Sequence, residues 1–321
     1  MQRFDDFFLS WVNGYYKNTS IGRDFYTAVS ASRFFGGAIA KYILKNLENE
    51  NLKLPLNIIE FGANNLNLIN DIYDFLDALS VGVIENCNFI AVESNKINKP
   101  QNKIKIIKNI KELKNLEWNC FFVANEFFDA LPCNLYDNKK IAYINDNKIE
   151  FLQNIIDKNI VEIAKKEGIT RGEIPISYFY FCKELDSINT NFMKWIFCVF
   201  DYGNKIYKND FSIRIFYNHE VFPLIQDGTL SSFAFSLYQK SDITYNVPFG
   251  ILNRAFESIG AKNVLYKTQD LALIEDFEIL ELLEQFYNQA SNQAYIRESN
   301  KIKTILNVLG RDFKTAIYRN F

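Results

Sequence analysis

The chain of 321 residues contains a single histidine, His219. A metal site built from several histidines is therefore excluded, and any histidine acid–base chemistry would run through that one ring. An excess of basic charge is missing as well. Lys and Arg total 36 against 38 Asp and Glu, giving a net charge of −2 and a pI near 5.7. Such a surface offers no basic face to a phosphate backbone, so nucleic acid is not an expected partner. The local run Lys103, Lys105, Lys108 and Lys111 alternates with Ile and reads as a solvated face. No apolar stretch approaches the length of a membrane span, so no membrane partner is expected. The opening Met1-Gln2-Arg3-Phe4-Asp5-Asp6 is acidic where a targeting peptide would be basic. Five cysteines (Cys87, Cys120, Cys133, Cys182 and Cys198) are odd in number and never spaced C-x-x-C. They are expected to be reduced, buried thiols, which together with the preceding points predicts a cytoplasmic protein. Internal repeats, low-complexity linkers and Pro/Gly-rich hinges are also lacking.

What is present fits a globular chain with a sizeable core. Hydrophobic residues make up 48% and charged residues 23%, with 30 Phe, 18 Tyr and a heavy load of Asn. Disordered, collagen-like and coiled-coil architectures are excluded. The length predicts one large domain, or a large one with an appendage.

Apolar periodicity predicts helices over residues 5–16 and 30–47, separated by the polar-aromatic segment from Gly22 to Thr27. After Pro55 the pattern changes to short apolar runs at 56–61, 88–93, 104–107 and 119–125, the first of them followed by a helix over 66–79. Such runs alternating with helical patterns predict a parallel sheet covered on both faces. Residues 134–152 alternate apolar and polar around Asp137-Asn138 and Asn145-Asp146-Asn147, as hairpins do. Helices are expected over 155–166 and 176–188, then a buried strand over 195–203 and another strand over 232–238. Two more helices are expected over 248–259 and 274–287, and His219 is read as a surface or capping residue on a loop entering a helix.

Several of the apolar strands end in an acid or amide. In an open α/β sheet, ligands bind outside the carboxyl ends of the strands, so polar residues collect there. Glu60-Phe61-Gly62-Ala63 stands where a glycine turn would lead from strand to helix. Glu93 ends the second strand, where an acid can accept two ribose hydroxyls. A loop acid with no ligand is the alternative for each.

The segment Asn125-Glu126-Phe127-Phe128-Asp129-Ala130-Leu131-Pro132 resembles the signature N-E-F-F-D-A-L-P of the MidA-type S-adenosylmethionine-dependent methyltransferases. That family includes the mitochondrial complex I assembly factor 7. The resemblance continues through Asp24-Phe25-Tyr26-Thr27, Phe35-Gly36, Glu60 to Ala63, Phe200-Asp201-Tyr202-Gly203, Gly228-Thr229-Leu230 and Asp242-Ile243-Thr244, in the family's order. It implies a Rossmann-like methyltransferase fold with a mostly parallel sheet and a smaller inserted, partly helical domain. On this basis residues 1–50 would form N-terminal helices and a site-closing loop, and 51–133 with 192–321 the methyltransferase core. Residues 134–191 would form the inserted hairpin and helical subdomain.

The resemblance further implies S-adenosylmethionine as cofactor, a protein substrate and methylation of an arginine side chain. It is also compatible with a homodimer. Asp24, Tyr26, Thr27, Glu60, Gly62, Ala63, Glu93 and Asn125 are the expected cofactor residues. A guanidinium acceptor must be held by carboxylates with its nitrogen aimed at the methyl group. Glu126 and Asp129, three apart, would share one face of a short helical turn, and Asn125 would orient the attacking nitrogen; these three are the expected catalytic residues. No metal is expected.

Three departures from the family accompany the resemblance. The pattern E-x-G-x-G-x-G reads Glu60-Phe61-Gly62-Ala63-Asn64-Asn65-Leu66 here, so Asn64 and Leu66 replace glycines. Relatives read D-x-T-A-H-V-D-F where this chain has Asp242-Ile243-Thr244-Tyr245-Asn246-Val247-Pro248-Phe249, and Thr27-Ala28 replaces their usual S-P. These changes define an alternative function, a methyltransferase-like binding or assembly factor without catalysis. A nucleotide-dependent oxidoreductase is disfavoured because the dinucleotide glycine fingerprint is absent.

Overall fold

A computed structural model describes residues 1–18, 28–95, 97, 103–113, 116–153, 157–188, 193–226 and 228–321. The chain divides into two compact units, each assembled from three segments. One comprises Met1–Phe25, Glu126–Lys183 and Tyr202–Ile259; the other comprises Tyr26–Asn125, Glu184–Asp201 and Gly260–Phe321.

The second unit is built on a seven-membered path of strands. These are β1 (Leu56–Phe61), β2 (Cys87–Val92), β3 (Ile104–Ile107), β4 (Asn119–Asn125), β5 (Trp195–Asn204), β6 (Lys262–Thr268) and β7 (Phe313–Arg319). Their spatial order is β3-β2-β1-β4-β5-β7-β6. The pairs β3/β2, β2/β1, β1/β4 and β4/β5 are parallel, and β6/β7 is antiparallel. This is a Rossmann-like sheet, and its order reverses between β1 and β4, the kind of position at which open α/β sheets hold their ligands.

The Phe surplus has its place here. Adjacent Phe121 and Phe122 point to opposite faces of β4, as the strand's period of two requires. On one face Phe61, Phe122 and Phe197 lie within 5.5–5.9 Å of one another, centroid to centroid. On the other face Phe35, Phe200, Phe277, Tyr42 and Phe121 form a chain of ring contacts running to helix α1 (Phe34–Glu48). All of these rings are buried, and burying large aromatic surface is the main stabilising term in such a sheet.

The first unit carries the helix Phe4–Asn18, the hairpin strands Asn134–Asp137, Lys140–Asn145 and Lys148–Leu152, and the strand Arg171–Ile174. Both expected hairpins form. Their turns place Asn138 and Lys139, then Asp146 and Asn147, at positive φ, the two-residue geometry that matches strand twist. Gly203, at the end of β5, approaches Val247 so closely that a Cβ would collide with its carbonyl. Only glycine lets the short strand Val247–Pro248 pair there.

Three expectations are corrected. Residues 232–238 contain a helix, Ser232–Ser236, and not a strand: Ser231 accepts the Ala234 N–H and starts a helical turn, which overrides the alternating pattern. The helix expected over 274–287 is broken. Gln269–Glu275 and Ile279–Tyr287 are separate, with Glu278 at positive φ and its carboxylate held by Lys41 and Lys45. Residues 214–223 form a hairpin, Arg214–Tyr217 with Glu220–Pro223, whose turn Asn218-His219 has both residues at positive φ. His219 is therefore a hairpin residue and does not lead into a helix. Of the helix expected over 155–166, Lys158–Glu167 is present and residues 155–156 lie outside the described residues. No described helix is long and apolar enough to cross a membrane.

Candidate functional site

The carboxyl ends of β1 and β2 meet in one hydrogen-bonded arrangement. The Gly62 N–H donates to the Val92 carbonyl (3.0 Å), and the Glu93 N–H donates to that of Ile107 (2.8 Å). Beyond β1 the backbone takes a left-handed conformation at alternate residues: Gly62 (φ 70°), Asn64 (φ 45°) and Leu66 (φ 65°). These are the three glycine positions of the family's turn. All three take the conformation that glycine adopts most readily although two of them are not glycine, and Asn64 is a residue type that enters this region readily.

Leu66 has no accessible surface, so its side chain is packed inside the protein and does not stand in an open crevice. It occupies the N-cap position of helix α2 (Asn67–Leu79) and has no group with which to cap it. Glu60 supplies the cap instead, its carboxyl accepting the Ile69 N–H at 3.0 Å. Burial pushes the Glu60 carboxyl up to about 8, against the opposing effect of that hydrogen bond. At neutral pH it is mainly protonated, so it presents a donor as well as an acceptor.

Glu93 is likewise buried, and its two oxygens hold the turn. Oε2 accepts the Asn64 N–H (2.9 Å) and Oε1 accepts the Asn95 N–H (2.8 Å). Each oxygen keeps a further lone pair, enough for a bidentate acceptor. That the strand-tip acid also fixes the departed-glycine turn was not foreseen from sequence. Ala63 is buried at the centre of the turn, and Gly62 is exposed. Asn125 ends β4. Asp24, Tyr26 and Thr27 lie outside the described residues.

In the first unit, Glu126 has φ 50° and precedes the short turn Phe128–Ala130 that contains Asp129. The two acids are therefore not spaced along one helical face as expected: Glu126 is half-buried outside the turn, and Asp129 is buried. The segment's carbonyls are fixed by hydroxyls. Tyr178 donates to Phe128 (3.0 Å), Tyr245 to Leu131 (2.8 Å) and Ser177 to Pro132 (2.6 Å). Tyr245 stands where the family's pattern has Ala, so this brace belongs to the departing block.

Two further residues join the acids of this unit. Tyr16 donates to Asp242 Oδ1 (3.0 Å), and Asp242 is fully buried. Desolvation pushes the Tyr16 hydroxyl well above its usual range, and the Asp242 and Asp129 carboxylates push it in the same direction. Asp242 lay in a recognised block without an assigned role, whereas Tyr16 carried no sequence signal.

Comparison with known proteins bears on the family and the fold. A family model described as S-adenosyl-L-methionine-dependent methyltransferase matches residues 38–267. The protein arginine methyltransferase NDUFAF7 homolog, mitochondrial, of Caenorhabditis elegans is 24% identical over 266 residues, 72% of this chain and 60% of that protein. The chain thus spans about 60% of the length of that curated relative. A crystal structure of a Burkholderia thailandensis protein bound to S-adenosyl-homocysteine superposes with a TM-score of 0.76 at 16% identity, covering 98% of this chain and 87% of that one. A native structure from the same organism gives 0.74 at 17% identity, covering 98% and 86%. These structures share the Rossmann-like fold. With its matched model spanning most of the sequence, the chain belongs to the S-adenosyl-L-methionine-dependent methyltransferase family.

Proposed function

We propose that this methyltransferase acts on an arginine side chain of a protein. S-adenosylmethionine supplies an electrophilic methyl group on a sulfonium. The residues beyond β1 and β2 fit it: Glu93 retains lone pairs for two ribose hydroxyls, and the turn from Gly62 to Leu66 keeps the left-handed backbone of the family pattern without an exposed Leu side chain. Gly62, Ala63 and the protonated Glu60 complete this set. The resemblance adds Asp24, Tyr26, Thr27 and Asn125.

The arginine reading is carried by the buried carboxylates of the first unit. Asp129 and Asp242 are both buried and both push the Tyr16 hydroxyl upward, a charge setting that suits a cationic acceptor. A guanidinium fits it, because its planar donors pair with carboxylates and its attacking nitrogen must give up a proton. Asp129 and Glu126 hold the guanidinium in this scheme, and Asn125 orients its nitrogen. The name of the Caenorhabditis elegans relative supports the same substrate class. Free thiols at all five cysteines support a reducing, cytoplasmic setting.

Titration calorimetry tests the cofactor site. S-adenosylhomocysteine is expected to bind in the range of about 1–100 μM, and Glu93→Gln to weaken it at least about tenfold while the melting curve stays cooperative. No binding of either S-adenosyl compound at about 1 mM would favour the non-catalytic factor instead. Amino-acid analysis of protein labelled from methyl-tritiated cofactor tests the acceptor. Label in methylarginine is expected, and label confined to any other residue overturns the arginine assignment.

A further inference from the structure

The first unit contains a cavity of about 280 Å³ that none of the groups assigned above lines. Its walls come from the strand Arg171–Ile174, the segment 204–214 and residues 246–248. Two of the residues that depart from the family's later block, Asn246 and Pro248, line it and bring no charge.

The cations of the cavity differ in how they are satisfied. Arg171 pairs with Asp137 (3.0 Å) and Asp210 (3.5 Å), and its guanidinium stacks 4.5 Å from the Phe211 ring. Lys208 is exposed on the rim beside Ile206. Arg214 is held without being neutralised. Its NH1 donates to Asn246 Oδ1 (2.7 Å) and to the Ser212 carbonyl (3.3 Å), and its guanidinium lies 5.5 Å from the Tyr202 ring. Among the described residues no carboxylate pairs with it, so its remaining donors keep an uncompensated charge.

That orientation rests on a buried relay. Glu173 accepts the N–H groups of Ser212 (2.6 Å) and Ile213 (2.9 Å), the Ser212 hydroxyl accepts the Asn246 N–H (2.9 Å), and Asn246 holds Arg214. Glu173 Oε1 takes both backbone N–H groups, and no ion pair joins Glu173 to the Arg214 guanidinium. A fork fixed by a neutral amide, flanked by an aromatic face and aimed into a cavity, is the arrangement that receives a planar oxyanion.

We propose that this cavity is a receptor for a single carboxylate, with Arg214 as its anchor. With Lys208 exposed to solvent on the rim, Arg214 is the one cation fixed inside the cavity without a paired carboxylate among the described residues, which matches a monoanion better than a phosphate dianion. The carboxylate belongs either to an acidic side chain of a protein bound by this unit or to a free organic acid. The proposal does not rest on methyl transfer.

Calorimetry on the full chain, without cofactor, tests it with four probes: a blocked Gly-Glu-Gly peptide, its Gln counterpart, propionate and inorganic phosphate. Binding of the Glu peptide but not the Gln peptide assigns a protein side chain, and binding of propionate alone assigns a free acid. In either case Arg214→Gln is expected to weaken the bound carboxylate at least about tenfold, and Arg214→Lys, which keeps charge but not the fork, about threefold or more. S-adenosylhomocysteine affinity should be unchanged in both variants, which shows them folded and separates this site from the cofactor site. The proposal is overturned if no carboxylate binds at about 10 mM, if phosphate binds more tightly than either carboxylate, or if Arg214→Gln leaves affinity intact.

Discussion

Leu66 sets two energies against each other. A branched L-residue in the left-handed region costs about 1–2 kcal/mol, which a glycine would avoid. Its side chain is wholly buried, however, and truncating a buried Leu costs about 2–5 kcal/mol. Burial therefore outweighs strain, and Leu66→Gly, although it restores the family's residue, is expected to destabilise the protein by about 2 kcal/mol in urea titration. Asn64→Gly removes a half-exposed side chain from a conformation Asn tolerates, so it should change stability by less than about 0.5 kcal/mol. A Leu66→Gly protein as stable as the wild type would refute this account. The left-handed backbone at Asn64 was legible beforehand, because that residue type is permissive. At Leu66 it was not, since local preference argues against it and only tertiary packing explains it.

At the scale of elements, strands that end in acids and helices with a clear apolar stripe were readable, β1, β3 and β4 to the residue. Elements set by a cap, a turn or a distant partner were not. Ser231 starts a helix inside an alternating pattern, Asn218-His219 closes a hairpin, and Lys41 with Lys45 fixes the break at Glu278. The antiparallel pair β6/β7 also went unseen, because half-exposed β6 has no clean alternation and its partner lies about fifty residues away. Capping of α2 by Glu60 has a pH consequence. The folded carboxyl titrates at about 8, above its unfolded value near 4.3, so the folded state binds more protons between these limits. Stability from this group is then greatest below about pH 4.3 and declines as pH rises towards 8. Glu60→Gln keeps an acceptor for the Ile69 N–H and has no proton to lose. Its melting temperature should fall less than that of the wild type between about pH 5 and 8. Parallel curves for the two proteins would assign the decline to other groups, Glu173 foremost, which burial raises to about 7.

At the scale of the molecule, each compact unit draws on three separated segments, and the second changeover falls inside the signature, between Asn125 and Glu126. A motif that reads as one continuous site thus joins two folding units, which is why its eight residues identified the family without revealing the roles of their side chains. Cysteine chemistry can follow the units separately. Cys133 and Cys182 belong to the first, and Cys87, Cys120 and Cys198 to the second. Burial pushes the Cys87 and Cys120 thiols up to about 12, and raises the thiols of Cys133, Cys182 and Cys198 as well. The thiolate is the reactive form, so at about pH 8 the Cys120 thiol stays overwhelmingly protonated even before access is considered. Labelling with an aromatic disulfide should therefore be slow for every cysteine in native buffer and should quicken only as the surrounding structure opens. Under rising urea, mass spectrometry of the labelled peptides is expected to show Cys133 and Cys182 reacting together, and Cys120 and Cys198 as a second group. Half-buried Cys87 at the start of β2 should lead that second group. Rapid native labelling of Cys120 or Cys198 would mean that the centre of the sheet is not the closed core described, and labelling that crosses the two groups would mean that the units do not open as cooperative bodies.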